Sequence, residues 1–301
     1  MSRIGLGIDL PARGTPFPGY GPPGSAGGGG GGGAASFSLE TAAFVASYPL
    51  ASLINGQEIN VSSDGMHVYV LDAVTDGIRQ YDLSTAFDFS TMSANGATDF
   101  IPTETNAYHF HISSDGVYVY IGGIAGDTIF QYELTTPWDI NGGHTLVGSL
   151  DYAALADAEP SVGLGTGNMD ISNDGKHVIF SDSPEIVSYY TLGTAWDIGT
   201  VTDATYVGAL NTTTVIGFSI SLEDIKYNED GTKVFALSSS NVVYELDLST
   251  PYDVTTATYS GFSLDMSSQD ADIDAIDVLD GGNGIVSTGS NDDDLNLYQE
   301  A

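Results

Sequence analysis

A short apolar segment ending in Asp-Gly recurs five times along this chain, and no other feature constrains its fold as strongly. The copies are INVSSDG ending at Gly65, FHISSDG at Gly116, MDISNDG at Gly175, IKYNEDG at Gly231 and IDVLDGG around Asp280-Gly281. Glycine enters φ > 0 without a Cβ clash and Asp bonds its own turn, so Asp-Gly between alternating strands marks a tight hairpin. An alternating second strand follows each turn: HVYVL from His67, VYVYI from Val117, HVIFS from His177, KVFAL from Lys233 and GIVST from Gly284. A polar turn then leads into IRQYDL, IFQYEL, IVSYYT, VVYELDL and, at the C-terminus, LNLYQE. A fourth segment follows in several units, as LVGSL near 148, TYVGAL near 207 and TYSGFSL near 260.

The turn aspartates stand at 64, 115, 174, 230 and 280, giving steps of 51, 59, 56 and 50 residues. Four short strands in a repeat of about 50 residues is the pattern of a β-propeller. At a mean step of 54, five units need 270 residues and six need 324; Ser36 to Ala301 supplies 266. The expectation is an all-β, five-bladed β-propeller over 36–301, preceded by a Gly/Pro-rich tail over 1–35. The last unit stops after its third strand, whereas the first opens with SLETAAFVASYPL, an orphan segment resembling DVTTATYSGFSL at 253–264. The N-terminal strand should therefore complete the last blade and leave no raw edge.

The units resemble bacterial and viral propeller repeats that read roughly F-S-P-D-G-x-x-x-Y-V and continue Y-x-L-S-T-P-W-D. The matching residues are ISSDGVYVYI from Ile112, QYELTTPWDI from Gln131 and DLSTPYDV from Asp247. WD40-like and lactonase-like propellers share this organisation. The resemblance implies the fold for 36–301; no catalytic residue of a lactonase-like site matches, and propellers host binding, scaffolding and catalysis alike. Acidic, lysine-poor repeats behind a glycine-rich tail are also similar in composition to structural proteins of marine bacteriophages.

Charge narrows the function classes. Forty acidic residues face six basic ones, a formal net charge of −34. Nucleic acid and anionic membranes need clustered Lys or Arg, so neither is an expected partner. There is no cysteine, which removes thiolate metal sites and cysteine nucleophiles. No stretch is long and apolar enough to span a bilayer, and MSRIGLGIDLPARGTPF has no signal-like apolar core. The expected location is a virion, with an extracellular site as the alternative, reached by a route such as lysis.

The most visible repeated feature is an aromatic followed by Asp: Phe87-Asp88, Trp138-Asp139, Trp196-Asp197 and Tyr252-Asp253. Such rings could stack on sugar faces beside a hydroxyl-binding carboxylate. Recurrence in each complete repeat favours a blade corner, in which the ring packs and Asp caps a turn. The turn aspartates Asp64, Asp115, Asp174, Asp230 and Asp280 are expected to bond their own turns. His109 and His111 alternate on one strand, but the neighbouring sequence supplies no third metal ligand, so strand packing is expected. His67 and His177 follow equivalent turns and read as exposed. Acidic loops carrying Asp72, Asp76, Asp127, Asp182, Glu185 and Asp292 to Asp294, with Glu58, Glu223, Asp224, Asp270 and Asp272, should share one face. Their oxygens suit calcium, yet EF-hand and nonapeptide spacings are absent, which favours a solvated acidic face. No cofactor is implied otherwise, and no catalytic motif stands out.

The tail holds Pro11, Pro16, Pro18, Pro22, Pro23 and an unbroken Gly27–Gly33 run, a linker-like composition. Within it Ile4, Leu6, Ile8 and Leu10 alternate with small or polar residues, and Arg3 stands beside them. This period-2 pattern suits addition to another protein's sheet. The leading expectation is a non-enzymatic virion structural or adhesion protein: a tail fibre, spike or decoration. Residues 1–35 would anchor it to other virion subunits, and the propeller would meet a host-surface glycan or protein. A lectin-like propeller and a propeller hydrolase are the alternatives. The segment at 150–168 is much longer than its counterpart near 101–107, so the face bearing the loops into each first strand is expected to meet partners.

Overall fold

The computed structural model describes residues 37–301 except 52, 54, 76, 99–106, 124–127, 152–154, 156–167, 182–184 and 291–292. The anchoring segment expected at 1–35 and most of the long 150–168 loop lie outside the described residues. Among the described residues, twenty strands form five antiparallel four-stranded sheets, the blades of a five-bladed β-propeller. Blade 1 holds β2 (Gly56–Val61), β3 (His67–Asp72), β4 (Gly77–Leu83) and β5 (Met92–Thr98). Blade 2 holds β6 (Ala107–Ile112), β7 (Tyr118–Gly123), β8 (Thr128–Leu134) and β9 (His144–Asp151). Blade 3 holds β10 (Met169–Ile171), β11 (His177–Ser181), β12 (Ile186–Thr191) and β13 (Tyr206–Asn211). Blade 4 holds β14 (Leu222–Tyr227), β15 (Lys233–Ser238), β16 (Val242–Leu248) and β17 (Ala257–Asp265).

Blade 5 is built from both ends of the chain. Its order is β1 (Ala42–Pro49), β20 (Asp294–Glu300), β19 (Gly284–Gly289), β18 (Ile273–Leu279). Strand β1 pairs antiparallel with β20 from Ala42 opposite Glu300 to Pro49 opposite Asp294, as the missing fourth strand required. The first strands β2, β6, β10, β14 and β18 touch their neighbours in turn around the ring. Their apolar residues Ile59, Phe110, Met169, Ile225 and Ile276 are fully buried between blades. Among the described residues no helix is long and apolar enough to cross a membrane.

Register irregularities mark both edges of the blades, and at the axis β2, β6, β14 and β18 each pass over one residue against their neighbour. Every outermost strand carries a register irregularity against its neighbour. The residues passed over include Val45, Asn95, Val147 and Val207. A bulge twists a free strand edge and breaks the even ladder of donors and acceptors that another sheet would pair with. This explains why Val45, Val147 and Val207 stand about half exposed, at 49, 47 and 47%: they are the extra residues of bulges.

Closure by β1 is thermodynamically substantial, because the same segment inserts Phe37, Leu39 and Leu50 into the core at 1, 4 and 2% exposure. At about 2 kcal/mol for each fully buried side chain, their loss should lower Tm by roughly 10 °C or more. A chain lacking residues 37–50 is therefore expected to melt well below the full chain and to associate through the uncovered β20 edge. Thermal unfolding with light scattering checks this; near-normal melting of a monodisperse deletion would overturn the closure role.

Candidate axial site

The four aromatic-Asp pairs stand at blade corners. Phe87, Trp138, Trp196 and Tyr252 each adopt a positive φ, between 57 and 66°, a conformation that bulky residues rarely enter. Each backbone N–H donates to the carbonyl of the turn glycine in its own blade: Gly65, Gly116, Gly175 and Gly231, at 2.8–3.0 Å. The rings lie flat over those glycines, so a methyl group at Gly116 or Gly175 would sit inside the Trp138 or Trp196 ring. The following Asp88, Asp139, Asp197 and Asp253 cap short 3-10 turns by accepting the N–H two residues on. The apolar residue after each, Phe89, Ile140, Ile198 or Val254, is buried. Neighbouring blades hold these corners in place. The Gln80 side chain accepts from Ile140 N–H and that of Gln131 from Ile198 N–H, while Tyr69 and Tyr120 hydroxyls donate to the Trp138 and Trp196 carbonyls. One face of every ring is thus occupied by its own turn.

Four of the five turn aspartates bond their turns as expected: Asp64, Asp115, Asp174 and Asp230 accept the N–H of Met66, Val117, Lys176 and Thr232. Asp280 does not. Its hairpin has the same length, since Leu279 pairs with Gly284 as Ser62 bonds His67, but the aspartate stands one position earlier. Asp280 therefore takes the place of Ser63, Ser114, Asn173 and Glu229, and its carboxylate accepts from the Asn173 side chain.

Those five residues ring the mouth of a small polar cavity on the propeller axis. Behind them, five residues before the turn glycine position, each first strand places one polar side chain between apolar neighbours: Asn60, His111, Asp170, Lys226 and Asp277. Asn60, His111, Asp170 and Asp277 line the cavity. Two residues further from the mouth stand Glu58, His109, Asn168 and Asp224, all buried.

The carboxylates hold blades together by a recurring bond. Asp170 Oδ2 accepts Tyr227 N–H from the next blade at 2.8 Å. Asp224 Oδ2 accepts Ile276 N–H at 2.9 Å, and Asp277 Oδ2 accepts Val61 N–H at 2.6 Å. Lys226 Nζ lies 3.0 Å from Glu58 and 3.4 Å from Asp224. Burial alone would lower the Lys226 pKa, but Asp224 and then Glu58 hold it above the ordinary lysine range. Burial raises Glu58 and Asp224, with Lys226 pulling both back down. Burial and then the Lys226 charge push His109 down to about 3, a neutral imidazole. His111 Nδ1 stands 3.1 Å from Asp170 Oδ1. Burial takes Asp277 up to about 8 and Asp280 to about 6.

The acidic residues expected to form one solvated face divide instead. Glu58, Asp72, Asp224 and Asp270 are buried, because each satisfies backbone or cationic donors inside the fold; Asp72 takes both Nε and Nη2 of Arg79. Glu223, Asp272 and Asp274 stay near the surface, and burial followed by the Asp272 charge raises Asp274 to about 7. Asp76, Asp127, Asp182 and Asp292 lie outside the described residues. Among the described residues no three His, Asp or Glu side chains are grouped to hold a metal ion. His67 and His177 are half-buried rather than exposed, His67 bonded to Asp82 and His177 stacked between Tyr189 and Tyr252.

No protein-family model matches the sequence, and neither does any curated protein. Among solved structures, the Cps50 (Swd1) β-propeller domain of Myceliophteria thermophila is 7% identical, with a TM-score of 0.50 over 84% of this chain and 98% of that one. Hydrazine synthase of Kuenenia stuttgartiensis is 13% identical at a TM-score of 0.45, over 79% of this chain and 56% of that one. A Bacteroides fragilis protein, provisionally a 6-phosphogluconolactonase, is 18% identical at 0.41, over 69% of this chain and 54% of that one. The chain thus spans little more than half the length of the latter two. At these identities the likeness concerns the fold alone: a β-propeller repeat protein.

The axial layer has a sequence signal that pairwise reading of the strands passes over. INV, FHI, MDI, IKY and IDV each set one polar residue between two apolar ones at a fixed distance from the turn. Only superposition of all five copies, with the Asp280 offset corrected, turns five ordinary strand residues into one ring.

Two outcomes follow from this electrostatics. Lys226→Met leaves Glu58 and Asp224 buried without their cation and should destabilise by about 3–5 kcal/mol, with part recovered by adding Glu58→Gln; denaturant titration of the two variants measures it. Asp277, Asp274 and Asp280 have folded pKa values of about 8, 7 and 6, above the roughly 3.9 of an unfolded Asp. The folded state then binds more protons, so stability present at pH 4–5 is lost as pH rises toward 8. The urea midpoint should be higher at pH 5.5 than at pH 8.5, with a flatter slope in Asp277→Asn; a midpoint rising with pH would contradict this.

Proposed function

We propose that the chain is a non-enzymatic interaction propeller that displays its faces to partners, and that its place is in an assembled particle such as a phage tail fibre, spike or decoration. The observation that supports the non-enzymatic reading is the use of the axial carboxylates. Asp170, Asp224 and Asp277 each hold a backbone N–H of the next blade, so the acids most suited to chemistry by position are engaged in joining blades. The aromatic-Asp corners are likewise engaged, one ring face on the turn glycine and the carboxylate on a 3-10 turn. What supports the particle reading is compositional. The charge of −34 favours a soluble display surface, and residues 1–35 combine a Gly/Pro-rich linker with the alternating Ile4, Leu6, Ile8 and Leu10.

Tagged full chain and a version lacking residues 1–26, expressed in the source of the sequence, test the reading. Density-gradient particles should contain the full chain and exclude the truncated one, although both fold. Absence of both from particles would sink the particle reading. Turnover of lactones or esters that disappears in His111→Asn and Asp170→Asn would sink the non-enzymatic one.

A further inference from the structure

Four Asn-Gly dipeptides occur in the chain, at 55–56, 95–96, 141–142 and 283–284. An asparagine before glycine can lose its side-chain amide without an enzyme. The glycine nitrogen gives its proton to solvent and attacks Cγ, Nδ2 takes up a proton and leaves as ammonia, and a five-membered imide remains. Water then opens the imide at either carbonyl, giving aspartate, or isoaspartate with the main chain routed through the side-chain carbon. Glycine favours the attack because no Cβ shields its nitrogen. The backbone must still turn to bring that nitrogen to Cγ, so a fold that fixes the pair suppresses the reaction.

Three of the four pairs are fixed. The Asn55 carbonyl accepts Ala73 N–H, and a Cβ at Gly56 would meet the Thr288 side chain at 2.6 Å. Asn141 lies in the 3-10 turn Ile140–Gly142, where its N–H donates to the Asp139 carboxylate and Gly142 N–H to the Asp139 carbonyl. The attacking nitrogen there is engaged. The Asn283 side chain donates to the Asp280 carbonyl, its own carbonyl accepts from Gln299, and Gly284 is buried against the Tyr298 carbonyl.

Asn95-Gly96 differs in three ways. It lies on β5, the outer strand of blade 1, and both residues are exposed. Tyr81 pairs with Ala94 and Gln80 with Gly96, so Asn95 is the bulged residue and has no partner opposite. Its two restraints, Nδ2 to Asp82 Oδ2 at 2.5 Å and its carbonyl from Asn141 Nδ2 at 3.1 Å, are both exposed, where water competes for the same groups.

We propose that Asn95 is a site of spontaneous, one-way modification to isoaspartate and aspartate, and that its conversion loosens the seam between blades 1 and 2. Both products lose the Nδ2 donor that Asp82 accepts. Aspartate would set a second carboxylate against Asp82, and like charges so close repel. Isoaspartate would add one bond to the main chain and take the carbonyl held by Asn141, a blade 2 residue, out of it. The proposal does not depend on the particle reading above, since it concerns the propeller alone.

The test keeps the full chain folded in mildly alkaline buffer, with the same chain in urea as reference. Samples taken over weeks are mapped by peptide mass spectrometry that resolves isoaspartate from aspartate. In urea the four pairs should convert at similar rates. In the folded chain Asn95 should convert at least tenfold faster than Asn55, Asn141 or Asn283, and Asn95→Gln should give no product at that position. An Asn95 that stays intact when folded yet converts in urea, or another of the four converting as fast when folded, would overturn the modification site. Asn95→Asp supplies one product directly. Hydrogen exchange of β5 and of the 140–142 turn should be at least threefold faster in it than in the fresh chain, and unchanged exchange would overturn the loosening of the seam.

Discussion

Every four-stranded blade has two edges, and each edge carries backbone N–H and C=O groups that the sheet does not pair. Five blades in a ring gather five such edges around the axis, where water is scarce, and five at the rim, where other sheets could add. An unpaired backbone donor buried away from water costs free energy comparable to a lost hydrogen bond. At the axis the answer is a side-chain carboxylate reaching one blade onward, as Asp170, Asp224 and Asp277 do toward Tyr227, Ile276 and Val61. At the rim each outer strand carries a bulge, a device that β2, β6, β14 and β18 share at the axis. The ring itself closes because β1 takes the place of the strand that the C-terminal blade lacks.

Much of this could be seen in the sequence, because the features that build blades repeat. Asp-Gly turns at steps near 54 residues fix the number of units, and the orphan segment before β2 implies the closure. The aromatic-Asp pairs were visible for the same reason, although their positive φ and the ring over the turn glycine belong to the folded structure alone. What was hidden does not repeat by residue type. The axial layer is Asn60, His111, Asp170, Lys226 and Asp277, five residues with little in common except position. Asp280 obscured it further, because an Asp-Gly dipeptide shifted by one residue looks like the other four turns and serves a different place. Burial of Glu58, Asp72, Asp224 and Asp270 also escaped the sequence, since a loop-end carboxylate looks the same whether it meets water or a neighbour's N–H.

The contrast between the uniform corner and the varied axis has a physical reason. Each corner meets the same demand inside its own blade, so one solution serves four times: an aromatic over a glycine and an Asp capping a 3-10 turn. The axial positions all face one another. If each inner edge used the same Asp, five carboxylates would crowd one buried layer, and like charges so close cannot all ionise. Placing Lys226 and His111 among them, with Asn60 neutral, keeps the acceptors that the N–H groups need while limiting repulsion. Burial raises Asp277 to about 8 and Asp280 to about 6, so proton uptake relieves charge on the side facing the cavity as well. Lys226 is drawn to the deeper pair, Glu58 and Asp224, and its charge still reaches Asp170 and Asp277. The same asymmetry that lets five buried edges share one axis therefore also sets the mixed polar lining of the cavity at their mouth.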